Sequence, residues 1–258
     1  LLDFATVTLP DLLPYMAAGF AAQIIDGALG MAFGAISSSL LVGVLGVPPA
    51  QASASVHFAE VFTTGASGAS HAFFRNIDWA LFRRLALPGI LGGVTGAYLI
   101  TNIDAEAARP LVMAYLLIIG LSLLIRTFRY PNPRFDSPRV VAPLGLVGGF
   151  LDAAGGGGWG PVVTSNLLLQ GADPRKTIGT VNTTEFFLTS AISITFIVQL
   201  GFAAFTLATL GLLLGGVIAA PFGAALARHV KPRVLLGVVG VILILTSTFN
   251  IWQAFHHA

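Results

Sequence analysis

Apolar runs long enough to cross a bilayer dominate this chain, and its charges fall almost wholly in the joints between them. The longest lie at about 50–72, 80–102, 107–126, 176–200, 204–227 and 232–255, each near the ~20 residues of helix that traverse a ~30 Å hydrocarbon core. Only 9% of the residues are charged and 55% are hydrophobic, where a soluble domain carries about a quarter charged residues. A surface so poor in charge cannot stay in water, so the chain reads as an all-α polytopic membrane protein with the lipid bilayer as its medium. The net charge of +2 would invite a nucleic-acid reading in a soluble protein. Here Lys and Arg sit in loops, which is a topology signal, and no nucleic-acid partner is expected. The absence of Cys rules out disulfides, thiolate chemistry and Cys-ligated zinc, and neither a metal nor a cofactor is expected. No charged leader with a cleavage site opens the chain, so no removable signal peptide is expected. The longest polar stretch, Arg126 to Arg139, is a short Pro-rich loop rather than a soluble domain.

Shorter apolar segments at about 12–26 and 30–46, and again at about 140–153 and 158–170, complete two sets with one plan: two short pieces, then three long ones. Residues recur with the plan. Asp26, Gly30, Phe33 and Gly34 return as Asp152, Gly156, Trp159 and Gly160. After a one-residue slip, Pro49, Val56, Glu60, Phe62 and Thr64 return as Pro174, Val181, Glu185, Phe187 and Thr189. Leu91-Gly92-Gly93-Val94 returns as Leu214-Gly215-Gly216-Val217, and Pro110 has a counterpart in Pro232. Coincident acids at shared distances from shared prolines point to an internal duplication. Residues 1–130 form the first repeat, 131–139 a cytoplasmic linker and 140–258 the second repeat.

About thirteen residues of helix rise only ~20 Å, short of the core thickness. Between the members of each short pair lies a Gly-rich break, Gly27-Ala28-Leu29-Gly30 and Gly155-Gly156-Gly157-Gly158. Such backbone holds neither a helix nor a lipid-facing position, because unpaired peptide groups are costly in hydrocarbon. Each pair is expected to be a helical hairpin dipping into the membrane, or two discontinuous helices, with its break lining a cavity or buried in protein. If each pair enters and returns on one side, Arg75, Arg83, Arg84, Arg126, Arg129, Arg134, Arg139, Arg175, Lys176, Arg228, Lys231 and Arg233 share a side, and Arg109 alone lies opposite. Fusing each pair into one span moves the last five of these to the outer face, against the positive-inside rule. The first arrangement puts both termini outside and inverts the halves. The expected fold is two inverted structural repeats, each a broken helical hairpin plus three transmembrane helices, a plan typical of transporters with a site near the midplane.

Four of the eleven acidic residues lie inside apolar segments, as the pairs Asp26 with Asp152 and Glu60 with Glu185. Intramembrane carboxylates are expensive and mark functional candidates. Asp26 and Asp152 also have a structural job open to them, capping free amides beside the breaks; Glu60 and Glu185 lie mid-helix, where a tie between helices is the plainer alternative. A buried carboxyl resists ionisation, so each acid is a candidate for taking up and releasing a proton. His57 lies three residues before Glu60 on one helical face, and its counterpart is Asn182, three before Glu185. The pair forms a candidate cavity wall of unequal halves, although a lone His is as readily hydrogen-bonded packing. No Lys or Arg lies mid-span, so the partners of an anion would be dipoles. Helices restarting near Phe33-Gly34 and Trp159-Gly160-Pro161 aim free N–H groups inward, and Pro161 suits a first helical turn. Two helix N-termini with Gly157 and Gly158 allowing close approach make an anion cradle, which Phe33 and Trp159 could close as paired gates. Ser37, Ser38, Ser39, Thr164, Ser165 and Asn166 follow and either add hydrogen bonds or bond their own helix backbone. The glycine run lacks the Lys-Ser/Thr of a P-loop, and no ATP-binding motif is present.

The doubled opening motif, GFAAQIIDGALGMAFG and GGFLDAAGGGGWGP, is followed each time by a Pro-containing loop and a polar helix, VPPAQASASVHFAE and ADPRKTIGTVNTTE. In its spacing of glycines, acids and prolines the chain resembles the TauE/SafE sulfite exporter family of bacterial membrane proteins, over nearly its whole length. The resemblance implies seven or eight spans, where the residues read as six full spans and two broken hairpins. It implies a bacterial inner-membrane location and a cargo among sulfite, sulfoacetate and related sulfur oxyanions or organosulfonates. The expected function is secondary anion transport by alternating access, open to proton coupling and to a homodimeric assembly. An anion channel using the same site is the nearest alternative. The string Gly65-Ala66-Ser67-Gly68 also fits the nucleophile motif of an intramembrane serine protease, but no His lies in a later span: His229 is in a charged loop, and His256 and His257 are terminal. Close helix packing explains these small residues better.

Overall fold

The structure, a computed structural model, describes residues 8–29, 31–128, 137–204, 206–226 and 232–256. Gly30, Arg129, Arg134, Arg228, His229, Lys231, His257 and most of the 131–139 linker lie outside the described residues. Among the described residues all regular structure is helical: α1 (Leu9–Leu29), α2 (Phe33–Gly43), α3 (Pro49–Phe73), α4 (Trp79–Thr101), α5 (Ala105–Phe128), α6 (Ala142–Gly155), α7 (Gly160–Leu169), α8 (Pro174–Leu200), α9 (Leu207–Leu226) and α10 (Pro232–His256). Of these, α1, α4, α5, α8 and Arg233–Gln253 of α10 are long and apolar enough to cross a membrane.

Local chemistry sets most of the boundaries. Asp78 caps α4 by accepting from the amides of Ala80 and Leu81 at 2.9 and 3.1 Å. Asp173 caps α8 in the same way on Arg175 and Lys176, with Pro174 filling the first helical position. The short pieces are α2, with 11 residues, α6, with 14, and α7, whose first turn, Gly160–Thr164, is π-wound. At 1.5 Å per residue α2 and α6 rise only roughly 16 and 21 Å. One boundary differs from expectation. The first segment, expected as a short piece over 12–26, is a 21-residue helix. Asp11 accepts from Thr8 at the helix start, from its amide at 3.0 Å and its hydroxyl at 2.6 Å. Pro14 falls inside the helix, and Gly27 to Leu29 continue it.

Helix directions follow from contacts. Gly145 and Gly149 of α6 lie against Leu85 and Gly89 of α4, and Phe150 lies against Gly96, so α4 and α6 run parallel. Tyr15 and Phe20 of α1 meet Gly211 and Phe222 of α9, again in parallel. The Asp78 amide donates to Thr180 Oγ1 at 2.8 Å, so α8 begins where α3 ends. Thr209 of α9 bonds Ser55 near the start of α3 at 2.9 Å. Hence α1–α2 enters and returns at the end where α3 begins, and α6–α7 enters and returns at the opposite end. That second end gathers the cations: Arg84 donates to the Arg139 carbonyl, Arg139 bonds Gln170, and Arg175 and Lys176 open α8. Arg109, bonded to the Gly46 carbonyl, sits at the other.

The recurring Leu-Gly-Gly-Val string has one job in both halves. A Cβ on Gly92 would strike the backbone of Leu146 in α6, and a Cβ on Gly215 would strike the backbone of Met16 in α1. Each half thus clasps the other through a glycine that lets two backbones touch, the usual solution in lipid, where apolar burial alone does not bring helices together.

Candidate functional site

The antiparallel pair α3 and α8 forms the centre of the molecule. Both helices bury polar side chains, among them Ser53, Ser55, His57, Glu60 and Thr64 on α3 and Thr180, Thr184 and Thr189 on α8. Much of this polarity is satisfied locally: Thr184 and Thr189 donate to the carbonyls one turn back, those of Thr180 and Glu185, both at 2.8 Å. The two helix breaks flank this pair and meet each other. Gly34 packs on Gly157, and Gly160 packs on Met31. The backbone is bent to allow it: Ala32 lies at φ 91 in the first break, and Gly156 and Gly157 at φ 72 and 145 in the second, a region that strongly favours glycine.

Each break is closed by its own aspartate. Asp26 accepts from the Phe33 amide at 3.3 Å. Asp152 accepts from the amides of Gly158 and Trp159 at 2.7 and 2.8 Å, and its second oxygen meets His57 Nε2 at 3.1 Å. His57 Nδ1 donates to the Ser53 carbonyl at 2.7 Å. With Nδ1 committed as a donor, a hydrogen bond at Nε2 requires one proton shared between Nε2 and the Asp152 carboxylate. Around it, Ser53 Oγ donates to the Ala153 carbonyl at 2.6 Å, Tyr115 donates to the Gly157 carbonyl at 3.2 Å, and Ser38 bonds the Gly156 carbonyl. Phe196 lies with its ring centroid 6.3 Å from that of His57. His57 and Trp159 have no exposed surface, and Asp152 only 2%. Trp159 Nε1 donates to the Val181 carbonyl, and the ring fills the space over Gly89 and Gly148.

The corresponding space beside the first break is open. A cavity of about 370 Å³ is lined by Gln23, Asp26, Gly27, Ala28, Leu29 and Phe33 from the first hairpin, by Glu60, Thr63, Thr64, Ser67 and His71 from α3, and by Ile178, Asn182 and Glu185 from α8. It runs toward the cation-rich end, reaching the last turns of α3 and the second turn of α8. Asn182 Nδ2 donates to Ser67 Oγ at 2.9 Å. Two buried acceptors on its wall, Gln23 Oε1 and Glu60 Oε2, have no hydrogen-bond partner.

Of the residues singled out in the sequence, Asp26, Phe33, Glu60, Asn182 and Glu185 come together around this cavity. Gly34 stands behind it, next to the Glu60 carboxylate. His57, Asp152, Gly157, Gly158, Trp159 and Gly160 gather instead in the sealed cluster, where a Cβ on Gly157 would strike Gly34 and Ala35 and one on Gly158 would strike the Tyr115 hydroxyl. The amides expected to cradle an anion already face Asp26 and Asp152, and the two breaks leave no room between them. Among the polar residues after the breaks, Asn166 bonds its own helix at the Val162 carbonyl, and Ser37 and Thr164 are buried without a partner. Sequence reasoning passed over Gln23, although a lone amide three residues before Asp26 in an apolar helix was a readable signal. Tyr115 carried none.

A profile of the sulfite exporter TauE/SafE family matches residues 15–249. The chain is also similar to the probable membrane transporter protein YtnM of Bacillus subtilis (strain 168), 41% identical over 247 residues that cover 92% of this chain and 82% of the relative. No solved structure matches it. The chain therefore belongs to the sulfite exporter TauE/SafE family.

Proposed function

We propose that the chain is a secondary transporter of a small anion, a sulfur oxyanion such as sulfite or an organosulfonate such as sulfoacetate, working by alternating access across the bacterial inner membrane. The observation that carries this reading is the contrast between the two breaks: one borders an open cavity of about 370 Å³, while the matching space beside the other is filled by His57, Asp152, Trp159 and Phe196. Two related halves, one parted from its neighbours and one closed on them, are what one state of an alternating pair requires. The opposed hairpins support reading the halves as inverted repeats. The positive-inside rule makes the cation-rich end cytoplasmic, which puts both termini outside and turns the cavity toward the cytoplasm. For an anion carried alone, the membrane potential, negative inside, would favour export.

The polar floor of the cavity, rather than the joined breaks, is the proposed substrate site, with Asn182, Ser67 and Thr63 as hydrogen-bonding groups and Glu60, Glu185 and Asp26 as proton-handling acids. The sealed cluster argues for a carrier over an open anion channel. Ser67 serves as Asn182's acceptor, and no hydrogen bond among the described residues joins it to a histidine, so a binding role fits it better than a nucleophilic one. The test is counterflow in proteoliposomes. Vesicles preloaded with unlabelled sulfite should accumulate labelled sulfite transiently and saturably. Flux without counterflow would mean a channel, and no flux of any sulfur oxyanion or sulfonate would overturn the reading.

A further inference from the structure

The cavity is lined by three carboxylates and by no Lys or Arg, an unexpected surface for an anion. Asp26 faces it from α1, Glu60 and His71 from α3, and Glu185 from α8. Beside it α2 contributes Phe33 and no charge, and α9 carries no titratable residue. Asp152 of α6 lies beyond Glu60 and is already paired with His57, while α5 offers there only Tyr115, bonded to Gly157. Arg84 of α4 is turned to the Arg139 carbonyl. Arg175 acts on His71 at the mouth but is not among the residues that line the cavity. From there it can draw an anion in. On the cavity wall the unpartnered Gln23 Oε1 and Glu60 Oε2 are both acceptors, on side chains only 8% and 4% exposed. An anion brings acceptors as well, so ionised carboxylates there offer it repulsion where donors are needed.

Resting on the anion-transport reading, we infer that this cavity binds its oxyanion only together with protons taken up by Glu60 and Glu185, so that anion and proton move in the same direction. A protonated carboxyl changes both terms: one negative charge disappears and an O–H donor appears where the oxyanion needs one. The protons come from water at the mouth, form only O–H bonds on the carboxylates, and return to water when the anion leaves. Binding of anion and proton is then mutually reinforcing, as linkage requires, and the sign is that of a symporter, the opposite of a proton–anion exchanger.

The probe is methanesulfonate, which stays singly charged across the range, titrated calorimetrically into the detergent-purified full chain between about pH 5.5 and about pH 7.5. With one co-bound proton the apparent Kd should rise about tenfold per pH unit, and with two about a hundredfold. The same titrations in buffers of different ionisation heat should show at least about one proton taken up per anion. Glu60→Gln and Glu185→Gln, which keep a hydrogen-bond donor without the charge, should each flatten this slope by about one proton while still binding at about pH 7.5. Binding that is independent of pH, or that releases protons, overturns the inference and leaves the anion site standing. Failure to bind methanesulfonate, sulfite or sulfate at any pH, in protein that melts normally, overturns the transport reading itself.

Discussion

Truncating Asp152 should cost the fold far more than truncating its counterpart Asp26, although both sit beside a helix break. Asp152→Ala strands three donors at once: the amides of Gly158 and Trp159 and, when it carries the proton, His57 Nε2. Loss of a cap costs about 1–2 kcal/mol, and a buried polar group left unpaired costs about 1–3 kcal/mol, for a sum of about 2–5 kcal/mol. Taking roughly 2–4 °C per kcal/mol for a chain of this size, the melting temperature should fall by roughly 4–20 °C. Asp26→Ala frees one amide, at 3.3 Å and beside an open cavity, and should cost about 1 kcal/mol, or roughly 2–4 °C. Asp152→Asn keeps an acceptor for the amides and offers an N–H to a neutral His57, so it should recover most of the loss. The assay is tryptophan-fluorescence melting of the three variants in one detergent. If Asp152→Ala melts no lower than Asp26→Ala, the cluster is not sealed by this carboxylate and the contrast between the two breaks loses its basis.

Other perturbations read the same architecture. Gly92→Ala and Gly215→Ala each push a methyl into the backbone of the opposite half and should each destabilise the protein by about 1–3 kcal/mol, seen as matched drops in melting temperature. Gly157→Ala adds an unfavourable φ of 145 to the same kind of clash and should reduce folded yield below either. Ser67→Ala removes the acceptor of Asn182 and should weaken sulfite counterflow by about tenfold at most, the size of one hydrogen bond; complete loss would point back to chemistry at that hydroxyl.

Much of the plan was legible because it rests on short-range rules. The second break follows from a run of glycines that can neither continue a helix nor face lipid, whereas Gly27 to Leu29, read as part of the first break, stay helical. The Leu-Gly-Gly-Val strings were legible as a repeat, but their shared job of letting two backbones touch shows only in the packing. The site was less legible. Glu60, Glu185, Asp26 and Asn182 were visible as polar residues at matched positions in apolar helices, but the sequence did not show which break would be open. His57 lies 95 residues from Asp152, and their pairing depends on how the α6–α7 hairpin docks on α3, which no local period encodes. The helix-terminus cradle looked open because the amides counted as free; the same aspartates that mark the breaks turn inward and occupy them.

Cargo held in the cavity beside the first break should reach it from the cation-rich end. The chain contains no cysteine, so a single Thr63→Cys on the cavity wall can report access without background. Labelling by a membrane-impermeant maleimide would be followed in inside-out and right-side-out vesicles, with and without methanesulfonate. Modification should come from the cytoplasmic face and be slowed by the sulfonate at acidic pH. Modification confined to the outer face, or a rate indifferent to a sulfonate that counterflow shows to be carried, would contradict this placement.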